Sequence, residues 1–86
     1  MPTICSFFGI VIRMYFDDHA PPHFHVYYGE HQAVFRIETL EMTEGHLPKR
    51  AKAMVLEWAA EHQQELMTNW NLADGHRPLR KILPLE

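Results

Sequence analysis

The sequence predicts an α+β domain of two layers, a mostly antiparallel sheet of four to five strands packed on one long helix in the C-terminal half. Two observations carry this. Apolar residues alternate with polar ones through the first half, and from Leu47 onward they recur at three- and four-residue steps instead. At 86 residues the chain has room for one core, which would bury roughly 60% of the surface an unfolded chain exposes, so residues 1–86 are read as a single domain.

The strands are expected between about residues 3 and 44. TICSFF is a short apolar run, and its Cys5 reads as a small buried hydrophobe with no chemical role. In GIVIRMYFDD, Ile10, Ile12, Met14 and Phe16 fall on one face, and Val11, Arg13, Tyr15 and Asp17 on the other. A further strand, His23 to Tyr28, is returned by Tyr28-Gly29-Glu30-His31 into another, Gln32 to Glu38, because Gly29 supplies the backbone freedom of a tight hairpin. Phe24, Val26 and Tyr28 share one side of the first; Ala33, Phe35 and Ile37 share one side of the second. Leu40 and Met42 suggest a short strand that ends at Glu44-Gly45.

The helix is expected over about residues 48–73. Leu47, Ala51, Met54, Val55, Trp58, Ala59, Leu66, Trp70 and Ala73 form its apolar stripe, and both tryptophans should face the sheet. Pro48 suits the first turn and Gly75 the stop. His62 lies within the stripe and reads as a satisfied boundary residue. Residues 79–83 read as a short edge strand between Pro78 and Pro84.

Composition narrows the function classes. A net charge of −3 lacks the overall basic signature of a duplex-DNA binder, although Lys49, Arg50 and Lys52, and again Arg77, Arg80 and Lys81, make two local cationic clusters that read as solvated faces. A single cysteine excludes an internal disulfide, and no stretch is long and apolar enough to span a membrane or act as a signal peptide; a reducing cytoplasm is the expected location.

One helix layer leaves the other sheet face open, and alternation sends Arg13, Tyr15, Asp17, His23, His25, Tyr27, Arg36 and Glu38 there. The segment HAPPHFHV concentrates the chemistry, with His19, His23 and His25 around two prolines that stiffen the approach to the strand. His23 and His25 share a face with Cα atoms roughly 6.5 to 7 Å apart. As an acid–base pair, with Arg13 and Arg36 as phosphate contacts and Tyr15 and Tyr27 beside them, they would suit a phosphodiester such as RNA without any cofactor. Alternatively His19, His23 and His25, or Asp17 in place of His19, would hold a divalent transition metal such as zinc. A third reading has the same residues form a semi-polar face that docks another protein, with no catalysis.

PTICSFFGIVIRMYF, DHAPPHFHVYYGE, LPKRA, LEWA, NW and ILPL resemble the small bacterial proteins catalogued as domain of unknown function 4160, over essentially the whole chain from Pro2 to Leu85. The HxPPHFH core is the most specific element, and the family motif falls on Arg13, His19, Pro21, Pro22, His23, Phe24 and His25. The resemblance implies no activity. It implies a bacterial cytoplasmic protein, often placed in a two-gene module of toxin–antitoxin type beside a small partner protein. Taken with the open face, the leading reading is a component of such a module that acts on or binds RNA or a related phosphate-bearing ligand there.

Overall fold

Five short strands come first along the chain and two helices follow, in a computed structural model that describes residues 2–86. The strands are β1 (Thr3–Phe7), β2 (Ile10–Arg13), β3 (His23–Tyr28), β4 (His31–Arg36) and β5 (Met42–Gly45); the helices are α1 (Lys49–Glu61) and α2 (Gln63–Asp74). Each strand pairs antiparallel with the next, giving a five-stranded sheet in the order β1-β2-β3-β4-β5. This is the expected α+β class. Such a meander needs only short connections, and Gly29, at φ 56°, turns β3 into β4.

The alternation decides what is buried. Ile10, Ile12 and Met14, Phe24 and Val26, and Ala33, Phe35 and Ile37 all lie in the core, joined from the helices by Ala51, Val55, Trp58, Ala59 and Leu66. Phe24 and Phe35, opposite one another in register, stack with centroids 5.5 Å apart, and Trp58 approaches Phe7 and Phe24 at 5.6 and 6.1 Å. Cys5 is buried as expected, and burial pushes its thiol above the ordinary value against the weaker pull of neighbouring hydrogen bonds, which keeps it unreactive.

Three expectations are corrected. The helical region is two helices, broken at His62, whose backbone sits at φ −123° and ψ 22°. A straight helix over residues 48–73 would run about 39 Å; with the break at His62 the whole molecule extends only 34 Å. The side chain of Gln63 pins the bend, donating to the carbonyls of Ile37 (2.8 Å) and Glu38 (3.2 Å).

Residues 79–83 form no strand. The Ile82 N–H does donate to the Ile4 carbonyl at 2.9 Å, but side chains take the neighbouring backbone groups: Asn69 holds both the N–H and the carbonyl of Arg80, and the Trp58 indole donates to the Leu83 carbonyl at 2.8 Å. Prolines at 78 and 84, which lack an N–H, close off any longer ladder. Phe16, finally, is 42% exposed and stacks on His76, because β2 ends at Arg13 and its alternation ends soon after.

Candidate functional site

The open face follows from register. Arg13 on β2 lies opposite His25 on the central strand β3, and His25 lies opposite Val34 on β4; one step along, His23 faces Arg36. Diagonal neighbours also meet. The Arg13 guanidinium sits 5.3 Å from the centroid of the Tyr27 ring, and its Nε donates to Thr3 Oγ1 at 3.1 Å; the terminal nitrogens make no other hydrogen bond among the described residues. Tyr15 packs edge-on against His25, with centroids 4.7 Å apart, and shares a short hydroxyl-to-hydroxyl hydrogen bond with Tyr27.

Burial first, then that bond to Tyr15, pushes the Tyr27 phenol up to about 12. A phenol raised in the folded state contributes stability that is present below its unfolded value of about 10 and is lost as pH rises toward 12. In a spectrophotometric titration of tyrosinate, one of the three tyrosines should therefore ionise last, and Tyr15→Phe should bring that step down toward the ordinary range. Three indistinguishable tyrosine titrations would rule this out.

The histidine segment folds around a residue that alternation did not single out. Asp17 adopts φ 60°, and its carboxylate leaves the face to pair with the exposed His76 at 2.7 Å. Asp18 turns inward. Its Oδ1 accepts the backbone N–H of His19 at 3.1 Å, which aims Oδ2 at the start of β3, 2.9 Å from Nε2 of both His23 and His25. The prolines hold the segment in place: Pro21 offers its carbonyl to His23 Nδ1 at 2.8 Å, and Pro22 accepts the Ile37 N–H at 3.1 Å.

Burial opposes charge on Asp18, but the hydrogen bond from His25, the proximity of His23 and the His19 N–H together outweigh it and hold the carboxyl below its ordinary range. The carboxylate is ionised at neutral pH. His23, 7% exposed, is covered by Trp70 at a centroid distance of 5.1 Å, and its ring lies 5.1 Å from that of His25. The two imidazoles thus share one carboxylate oxygen.

The cluster opens into a groove of about 300 Å³ lined also by Pro21, Val34, Arg36, Thr43 and Glu44. His19 stands at its rim with a side chain 87% exposed and its Nδ1 3.4 Å from Asp18 Oδ1, outside the close group of three that Asp18, His23 and His25 form. Of the residues expected on the open face, the structure brings together His23, His25 and Arg36 in the groove and Arg13, Tyr15 and Tyr27 beside it. Asp18, Trp70 and Glu44 were not foreseen. The one available signal was the paired Asp17-Asp18 just before the histidines, where a turn decides which carboxylate points in.

The fold and the cluster define a small α+β domain that carries a carboxylate–imidazole centre at the start of β3, where Trp70 of α2 covers one of its imidazoles. A family model described as domain of unknown function (DUF4160) matches residues 9–71, and the chain belongs to that family. No curated protein and no solved structure matches the chain. Among the described residues, no helix is long and apolar enough to cross a membrane.

Proposed function

We propose that the protein binds single-stranded RNA across the open sheet face, as a component of a two-gene module of toxin–antitoxin type. The observation that carries the binding half is the half-buried row of Tyr15, Tyr27 and His25 on β3 and beside it, flanked by Arg13 on one side and Arg36 on the other. Aromatic rings on a sheet offer stacking surfaces to unpaired bases, and two guanidinium groups offer phosphate contacts. The module half, with its small partner protein, rests on what the sequence resemblance implies.

The chain's net charge is negative, so local rather than overall charge must hold the phosphates. Two such contacts predict a modest salt dependence, with the logarithm of the association constant falling by about 1.4 per decade of salt, and by about half that in Arg36→Gln. Tyr27→Ala should weaken capture of a labelled single strand roughly tenfold or more, the value of about one lost stacking contact. Fluorescence anisotropy reads both effects. A bound strand would lay a phosphate over the Asp18, His23 and His25 cluster, and denaturing gels of the same mixtures show whether it is cut; cut products from wild type and none from Asp18→Asn would add cleavage to binding. No RNA binding at low salt, together with capture of a protein partner that Arg13→Ala or Tyr27→Ala abolishes, would replace this reading with a protein-docking face.

A further inference from the structure

We infer that Asp18, His23 and His25 form a site for one divalent transition-metal ion of the zinc type, held by Asp18 Oδ2 and the two Nε2 atoms, with its remaining position open to the groove. The inference stands apart from RNA binding. One ligand atom from each of the three residues lies within 4.8 Å of the others, and no other group of three histidine, cysteine, aspartate or glutamate side chains converges in this way among the described residues. Ligands about 2.0 to 2.2 Å from a tetrahedral centre lie roughly 3.3 to 3.6 Å apart. To admit an ion, the two contacts to Asp18, at 2.9 Å, would widen by about half an ångström and the two imidazole nitrogens, which lie within 4.8 Å of one another, would close toward the same spacing.

A second observation points the same way. The Pro21 carbonyl can only accept, so the 2.8 Å contact places a proton on His23 Nδ1. This turns the other ring nitrogen, Nε2, toward Asp18 Oδ2, 2.9 Å away, in a side chain that is 8% exposed. A carbonyl that fixes the far nitrogen of an imidazole is also the usual outer support of a metal-ligating histidine. The two prolines, the Asp18 turn and the Trp70 cover hold this arrangement from three sides.

Two nitrogens and one oxygen select the metal class. Imidazole favours zinc and its transition-metal neighbours, whereas magnesium and calcium prefer sets made of oxygen. The other histidine contacts supply two groups each, His31 with His46, His62 with Glu65 and His76 with Asp17, which is too few to close a site.

The test is a cobalt(II) titration of the untagged, chelator-treated chain followed by visible absorbance, with zinc added as competitor. One cobalt per chain is expected, with intense low-symmetry bands that zinc abolishes. Asp18→Asn, which keeps the side-chain shape, and His25→Gln should each reduce affinity by at least about 100-fold, the upper end of what loss of an outer support costs. His19→Gln and His76→Gln should leave it unchanged. Absence of the bands from wild type overturns the inference, as does equal affinity in Asp18→Asn and His25→Gln variants that retain native circular dichroism. Cobalt binding without RNA capture would keep this site and remove the RNA reading; RNA capture without cobalt binding would do the reverse.

Discussion

Trp58→Ala should lower the free energy of unfolding by about 3 to 5 kcal/mol, a large share of the roughly 4 to 13 kcal/mol typical of a chain this size. The side chain is fully buried between the sheet and α1, in contact with Phe7 of β1 and Phe24 of β3, so truncation leaves a cavity in the middle of the core. It also removes the indole donor to the Leu83 carbonyl and loosens the segment that follows α2. Trp58→Phe separates the two effects, since it keeps most of the ring and loses the N–H; its cost should be nearer 1 to 2 kcal/mol. Urea denaturation of the three proteins measures this. A loss below about 1 kcal/mol for Trp58→Ala would show that the helix layer does not depend on this ring.

Gly45→Ala should cost about 3 kcal/mol or more, for a reason that involves no lost contact. Gly45 closes β5 at φ 82°, a conformation that resists any side chain, and an added Cβ would stand 2.0 Å from the Gln32 carbonyl oxygen and 2.8 Å from the Ala33 Cα. Both obstacles are main chain, so the strand itself must move. Gly29→Ala is the matched control. Its φ is also positive, at 56°, but nothing lies within 4 Å, so only the conformational cost of about 1 kcal/mol should appear. Because Thr43 and Glu44 of β5 line the groove, Gly45→Ala should also speed amide exchange along β5. Equal melting of the two alanine variants would show that β4 and β5 separate at no cost.

The legible parts of the fold were those set by a local period. Alternation through Ile10 to Met14 and through His23 to Tyr28 reports a sheet with one face packed, and the apolar stripe from Ala51 to Ala73 reports a helix over it. The break at His62 was hidden because it preserves the stripe; the contacts made there, from Gln63 to the carbonyls of Ile37 and Glu38, join residues distant in sequence and so belong to the assembled molecule. The tail after α2 was hidden for the opposite reason. It is apolar and extended like a strand, yet side chains of Asn69 and Trp58, distant in sequence, satisfy its backbone. In the site, a period of two placed His23, His25, Arg13, Arg36, Tyr15 and Tyr27 on one face, and register then brought them together. It could not choose between Asp17 and Asp18, because that choice lies in a turn where alternation has no meaning.

The segment after α2 also has a bearing on the order in which the molecule is made. Residues 80–83 bond to Ile4 and Thr3 in the first strand, to Trp58 in α1 and to Asn69 in α2, so they are synthesised after everything they join. While the ribosome still holds them, the outer edge of β1 is bare, the indole of Trp58 lacks its acceptor and the buried amide of Asn69 lacks both partners. Removal of residues 80–83 would thus leave three separate elements with unmet backbone or side-chain groups at once, and should destabilise all of them together.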